Sequence, residues 1–586
     1  MRRTLTAALV VCALTGCQTT LDAPPPQGKF EAKPAPPVAR APEPAPVVVA
    51  SAPSPVAAKA RSANKAPEEG ALGSARVVAP AFGSEGLGLQ GAGMGGGGIG
   101  DAVGLGGLGT RGRGGGLGAM GTGSGGYDRV TSTEDYGAPT INAWTLTQAD
   151  HLSTFSVDVD TASYTLARAK LVSGQLPPAD SVRVEEWLNY FRYSYPQPET
   201  GVPLSVTMDA APSPFTPNKH LLRVGVQGRA VDLAERQPSH LTFLVDVSGS
   251  MQSPERLPLA KRALRLLVDQ LHDGDTVALV TYAGNVRLVL PHTGMNQKAR
   301  IHEAIEALSA GGSTAMGSGV ELAYQQAVKV LDSKSSSRVI ILSDGDANVG
   351  RTSHDEILKL VAGHVKEGVT LTTVGFGMGN YKAVLMEQLA DKGNGNHFYV
   401  DSLLAAKRIF VEQLGGTLEV IAQDVKLQVD FDPAQVNAYR LVGYENRDIA
   451  DRDFRNDRVD AGEIGSGHTV TALYELDLKS NAGAGLATVR VRAKAPRGTT
   501  ADEKAFMFPG TALATRFADA SADFRFATAV MGAAEIFRRS PSAAEWSYDD
   551  VRRIAAGATP AGNAEREEFL SLLERAQSLA RRVAVR

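Results

Sequence analysis

Between Leu241 and Gly415 short apolar runs alternate with longer stretches of helical periodicity, and no other feature narrows the fold of this chain as much. The pattern predicts strands over Leu241–Val247, Thr276–Tyr282, Val286–Leu290, Val339–Ser343, Thr370–Phe376 and His397–Val400. It predicts helices over Pro258–Leu271, Lys298–Leu308, Gly317–Leu331, His354–Lys366, Tyr381–Lys392 and Leu403–Gly415. In the first of these, Ala260, Leu264, Leu267 and Leu271 fall on one face. Such alternation builds a mainly parallel sheet with helices on both faces, an α/β fold. The closely spaced runs TVALVTYA and VRLVLP meet at Gly284-Asn285 and read as a hairpin, which gives one antiparallel edge strand. Ligands of such sheets bind beyond the carboxyl ends of the strands.

Three loops would meet at that edge. The first follows LTFLVDVSGS and carries Asp246, Ser248 and Ser250. The second, AGGSTAMGSG, places Thr314 between a glycine-rich turn and a helix, with Ser313 beside it; the third, ILSDGDAN, ends a strand on Asp344. Two carboxylates and three neutral hydroxyls suit a hard divalent cation, which prefers oxygen ligands and keeps positions open for water or an outside donor. Either serine alone would also serve a tight turn or a helix cap. A nucleophile elbow lacks its preceding glycine here, no histidine lies in the three loops, and no HExxH pair occurs. Gly345–Thr352 approaches a phosphate-binding loop, but Arg351 stands where lysine is required, and Asp344 and Asp346 would repel phosphate. As an EF-hand loop the same stretch, with Asp344, Asp346, Asn348 and Asp355, has its glycine displaced to Gly350 and lacks the final glutamate. No nucleotide is therefore expected. With a formal net charge of −3 and no basic block, neither is a nucleic-acid partner.

The DxSGS run, the threonine in a glycine-rich loop and the terminal SDG resemble the metal-ion-dependent adhesion site of von Willebrand factor A domains. The resemblance implies that Ser248, Ser250 and Thr314 would touch the metal, and that Asp246 and Asp344 would bind it directly or through water. It implies Mg²⁺, with Mn²⁺ and Ca²⁺ as alternatives, and a protein ligand whose Asp or Glu carboxylate completes the coordination. The flanking FSVDVDTASY, VRVEEWLNYF, YRLVGYENR and DAGEIGSGHTVTALYE resemble bacterial YfbK-like von Willebrand factor A lipoproteins from about residue 136 onward.

The first residues, MRRTLTAALVVCALTGC, combine a basic start, an apolar stretch too short to span a bilayer, and Cys17 at the position of cleavage. This resembles a bacterial lipoprotein signal over 1–16, with Cys17 acylated, palmitate among its chains. Acyl chains contribute about 0.8 kcal/mol per buried methylene, enough together to hold a protein on a membrane. Cys12 and Cys17 are the only cysteines, so the mature chain would keep no thiol for catalysis or metal ligation. Gln18 stands where aspartate would signal inner-membrane retention, which places the protein in the cell envelope, at the outer membrane if the source is Gram-negative. Residues 17–135 are first rich in proline and alanine and then in glycine, and read as a disordered tether.

Order is expected from 136. A small N-terminal α/β domain over 136–200 starts with a strand at Phe155–Val159 and a helix to Val172; Asp158, Asp160, Thr161 and Ser163 read as its cap rather than as a second metal site. Strand-like runs at 201–239 and 421–500 pair across the intervening segment into a β-sandwich, so that the metal-binding domain, 240–420, is an insertion. The acidic stretch 446–463, interspersed with arginines, reads as a salt-bridged loop, and 501–586 as a helical region. Together these features describe an anchored envelope protein, not an enzyme, that binds a partner through a divalent metal. The alternative is a structural envelope protein whose metal only stabilises the fold.

Overall fold

A computed structural model describes residues 134–584, apart from 138–139, 158, 233–234, 346–352, 481 and 484. The signal, Cys17, most of the tether, Asp158 and Asp346 through Thr352 lie outside the described residues. The chain begins with strands β1 (Thr145–Leu146) and β2 (Leu152–Ser156), helices α1 (Ala162–Val172) and α2 (Val184–Tyr190), and strands β3 (Leu204–Pro212) and β4 (His220–Gly228). The α/β segment follows: β5 (Ser239–Asp246), α3 (Leu257–Gln270), β6 (Thr276–Tyr282), β7 (Val286–Gly294), α4 (Lys298–Glu306), α5 (Met316–Lys329) and β8 (Ser336–Ser343). It continues through α6 (His354–Val365), β9 (Val369–Phe376), α7 (Ala383–Lys392), β10 (His397–Val400), α8 (Leu403–Lys407) and α9 (Leu414–Leu418). Strands β11 (Val420–Phe431), β12 (Val436–Val442), β13 (Gly462–Gly465), β14 (Thr469–Leu478), β15 (Ala487–Lys494) and β16 (Ala501–Met507) come next. Helices α10 (Ala522–Phe537), α11 (Tyr548–Ala556) and α12 (Ala564–Ala584) close the described chain.

The α/β segment forms one six-stranded sheet in the order β10-β9-β8-β5-β6-β7, parallel except for β7, which runs antiparallel to β6 at the edge. Its central strand is buried on both faces because the side chains alternate. Leu241, Phe243 and Val245 pack against Ala260, Leu264, Leu267 and Val268 of α3, while Leu244 meets Val320, Ala323 and Ala327 of α5. Helix α5 comes especially close at Gly319, where a Cβ would lie 2.9 Å from that of Tyr282. Strand order reverses at β5, which feeds β6 on one side and neighbours β8 on the other, and it is beyond the carboxyl ends at such a switch point that ligands of open α/β sheets bind.

Two five-stranded sheets flank the insertion in sequence: β13-β11-β15-β16 with β2 also on β11, and β1-β12-β14-β4-β3. Their facing residues, among them Val224, Val226, Leu427, Val429, Val470, Ala472, Val489 and Val491, share one apolar core, so the two sheets form a sandwich. The chain leaves it after β4 and re-enters at β11.

Several sequence expectations change here. The stretch 136–200 is not a separate α/β body. Strands β1 and β2 are lent to the two sandwich sheets, and Tyr164, Trp187, Leu188 and Phe191 pack with Phe524, Phe526, Val530 and Phe569 of the C-terminal helices. Two short strands and two helices bury too little apolar surface to stand alone, so each face finds its partner elsewhere. Residues 501–507 are not helical but extend the sandwich as β16, and the rest of the expected helical region contains α10, α11 and α12. The helix expected over Leu403–Gly415 is broken by a π turn at Arg408–Glu412. There the Arg408 guanidinium is drawn inward, over the Tyr190 ring and onto the Tyr190 carbonyl and Glu565.

A buried ionic network fastens the C-terminal helices to the sandwich. Arg440 of β12 donates to Glu475 of β14 at 2.8 Å and to Glu535 of α10 at 3.0 Å; Arg538 donates to Glu535 and, at 2.6 Å, to Glu445. Replacing Arg440 by methionine would leave Glu475 and Glu535 without their common cation in a region where all three side chains are at most 2% exposed. Arg440→Met is expected to lower stability by about 3–5 kcal/mol, read as the shift of the urea midpoint. Adding Glu475→Gln should recover part of that loss, since Glu535 keeps Arg538 as its partner.

Candidate functional site

Asp246 ends β5 between the ends of β6 and β8. The register that pairs it with Tyr282 on one side and Val245 with Leu342 on the other brings Ser343 beside its carboxylate. Asp246 Oδ2 accepts from the Ser343 hydroxyl at 2.9 Å, and Oδ1 from the Ser248 backbone N–H at 2.9 Å. The residue is fully buried, and desolvation, partly opposed by these hydrogen bonds and reinforced by the nearby Asp344 charge, raises its pKa from the ordinary 3.8 to about 6.

The first loop then turns so that the hydroxyls of Ser248 and Ser250 stand 3.0 Å apart. It is pinned to the second loop by backbone bonds, Gly249 N–H to the Gly312 carbonyl at 3.0 Å and Gly311 N–H to the Val247 carbonyl at 2.8 Å. These bonds bring the Thr314 loop to the first loop. The exposed Ser313 hydroxyl lies against Gly284 of the β6–β7 hairpin, which leaves half-buried Thr314 as this loop's candidate ligand. Asp344, fully buried just past β8, is joined to the first loop through Arg256. That guanidinium donates to Asp344 Oδ2 at 2.8 Å and to the Ser250 carbonyl at 2.7 Å, while Asn380 Nδ2 adds a bond to the same Oδ2 at 3.2 Å. Asp246, Ser248 and Ser250 are thus in one hydrogen-bonded cluster, Asp344 is linked to it by Arg256, and Thr314 sits on a loop clamped to it.

This donor set fits a hard, six-coordinate cation. Adjacent oxygens on an octahedron of radius roughly 2.1 Å stand about 3.0 Å apart, the separation found between the two serine hydroxyls. Among the described residues no group of three or more His, Cys, Asp or Glu is arranged to hold a metal ion, and hydroxyls outnumber carboxylates in the candidate donor set here.

Sequence reasoning missed Ser343, Arg256 and Asn380. The SD pair at 343–344 carried a signal, since a residue in register with Asp246 on the neighbouring strand must face it; Arg256 and Asn380 arrive from other loops with no motif to mark them. The cluster at 160–163 does not cap α1. Thr161 makes no side-chain cap bond. Asp160 instead accepts from the His397 N–H of β10 at 2.7 Å and from Arg447, and the Ser163 hydroxyl donates to the Ser181 carbonyl at 2.7 Å. These residues join the N-terminal helices to the α/β sheet and to the sandwich, work that a local cap rule does not anticipate.

Residues 240–412 match the family described as von Willebrand factor type A domain, residues 130–223 one described as von Willebrand factor, and residues 416–579 one described as uncharacterized protein YfbK, C-terminal. The chain is 38% identical over 458 residues to the uncharacterized protein YfbK of Escherichia coli (strain K12), covering 73% of this chain and 78% of that one. It is 31% identical over 191 residues to the uncharacterized protein sll0103 of Synechocystis, 32% of this chain and 44% of that one. Among solved structures, a von Willebrand factor type A protein from Catenulispora acidiphila aligns at 15% identity over 65% of this chain and 91% of its own, with a TM-score of 0.40. Proximal thread matrix protein 1 from the mussel byssus, with a zinc-occupied adhesion motif, aligns at 24% identity over 30% and 44%, with a TM-score of 0.26.

The raised pKa of Asp246 sets a pH dependence in metal-free protein. A carboxyl whose folded pKa lies above its unfolded one contributes stability in its protonated form, fully present below about pH 4 and lost as pH rises through about 6. In EDTA, Asp246→Asn is therefore expected to raise stability at pH 7.5 by on the order of 2 kcal/mol and to leave it nearly unchanged at pH 4. Thermal melts at the two pH values check this, and a lower melting temperature at pH 7.5 contradicts it.

Proposed function

The chain belongs to the YfbK family of von Willebrand factor type A proteins, and from that premise we propose that it is an envelope-anchored binding protein that captures a protein partner through a divalent cation. Domains of this type are interaction modules. The observation that carries the proposal is the cluster at the switch point, with two fully buried carboxylates, a hydroxyl pair 3.0 Å apart, and half-buried Thr314 on the loop bonded to the first.

In this reading Ser248, Ser250 and Thr314 would hold the ion directly, with Asp246 and Asp344 supplying the charge that retains it. The ion, Mg²⁺ in first place, supplies an electrophilic centre for an anionic oxygen. A partner's Asp or Glu side chain provides that oxygen. Ser343 fixes the orientation of Asp246, and the loop clamps at Gly249 and Gly311 keep the hydroxyls in place, so little needs to be reorganised when the partner arrives.

Among the described residues no helix is long and apolar enough to cross a membrane. We assign membrane attachment to acylated Cys17, at the outer membrane if the source is Gram-negative, with residues 17–135 as the tether. Metabolic labelling with a palmitate analogue should mark the wild type and not Cys17→Ala.

The binding reading is tested by crosslinking in intact cells followed by affinity recovery. Partner recovery is expected to fall at least tenfold on chelation with EDTA, to return with Mg²⁺, and to be absent for Asp246→Ala. Equal recovery in all arms, with only the melting temperature responding to metal, would instead mark the cation as a stabiliser of the fold.

A further inference from the structure

Arg256 lies outside the adhesion motif, yet it is the residue most deeply tied into the site. Besides its bonds to Asp344 and to the Ser250 carbonyl, its guanidinium donates to the Met378 carbonyl and to Asn380 Oδ1, each at 2.7 Å. Its side chain is only 13% exposed. Gly377, in the left-handed region at φ +70°, vacates the space it fills, because a Cβ there would lie 2.2 Å from Arg256 Nε. The chain has thus been shaped to seat a cation beside the carboxylates.

The charges have a direct consequence. Asp246 and Asp344 give −2, and Arg256 reduces this to −1. With a divalent ion added the cluster stands at +1, whereas two carboxylates alone would leave it neutral. In a poorly solvated site such an excess charge weakens the hold on a lone cation and attracts a monoanion.

We infer that Arg256 strengthens the mutual dependence of cation and carboxylate binding, so that the divalent ion is held weakly until an anionic group of the partner joins it. The inference rests on the cation-site reading given above. Reciprocity requires that a carboxylate strengthen ion binding by the same factor by which the ion strengthens carboxylate binding. A purely positioning role for Arg256 predicts the opposite sign on mutation, since losing the anchor of Asp344 would weaken the ion.

Mn²⁺ binding to the purified full-length chain, followed by electron paramagnetic resonance with and without acetate as the carboxylate probe, separates these cases. For the wild type, acetate is expected to tighten Mn²⁺ by roughly fivefold or more. Arg256→Gln should bind Mn²⁺ about tenfold more tightly without acetate and show a clearly smaller acetate effect, while Arg256→Lys, which keeps the charge but not the fork of hydrogen bonds, should lie between the two. Weaker Mn²⁺ binding by Arg256→Gln, or an unchanged acetate effect, overturns the inference and leaves the cation site standing. Absence of an acetate effect in the wild type overturns it without any variant. If the wild type binds no Mn²⁺, the cation-site reading falls as well.

Discussion

Much of the α/β segment serves one constraint, the placing of a carboxylate at the buried end of its central strand. Asp246 has no solvent contact, so its charge must be met by groups delivered to it. Ser343 can do so only because β8 runs parallel to β5 in the observed register, and the Ser248 N–H can do so only because the chain turns sharply after Val247. Even with both bonds, desolvation outweighs them and holds the carboxyl well above its ordinary pKa. The apolar packing of β5 between α3 and α5 thus creates the electrostatic problem that a cation would relieve.

The rest of the described chain holds that sheet at points well separated in sequence. Asp160, at the start of α1, accepts from β10, and Arg408, just after α8, is buried against α2 and α12. The covalent entry and exit, at β4 and β11, belong to different sheets of the sandwich. The inserted segment is therefore fastened by ion pairs and backbone bonds as well as by its two connections, and the N- and C-terminal helices form one apolar cluster. The buried Arg–Glu network ties one sheet of the sandwich to α10, and such a pair is costly to bring out of water and costlier to break.

What could be read from the sequence divides along physical lines. The parallel sheet with its antiparallel edge strand followed from local periodicity, because the inner strands are mainly apolar runs and the long helices carry apolar faces. The sandwich followed from strands that lacked partners nearby. The independence of 136–200 was misjudged because pairing of β2 with β11 is set across some 270 residues, and no local pattern encodes it. The same limit explains the site. Asp246, Ser248 and Ser250 share one turn and Asp344 ends a neighbouring strand, so their types and positions were legible. Arg256 and Asn380 approach from the start of α3 and from the turn before α7, and only the folded chain shows that both meet Asp344.

The use of hydroxyls follows from burial. Two carboxylates already sit close enough for Asp344 to push up the pKa of Asp246. A third carboxylate would add repulsion in a region of low dielectric, and the cluster would protonate rather than keep its charge. Hydroxyls supply oxygen donors without that cost, and Arg256 removes part of the remaining charge. The cluster is then tolerable in the fold before any ion binds, and any ion it accepts stays incompletely neutralised. On the proposed reading, a cation held by two carboxylates and three hydroxyls beside one arginine would seek an anion.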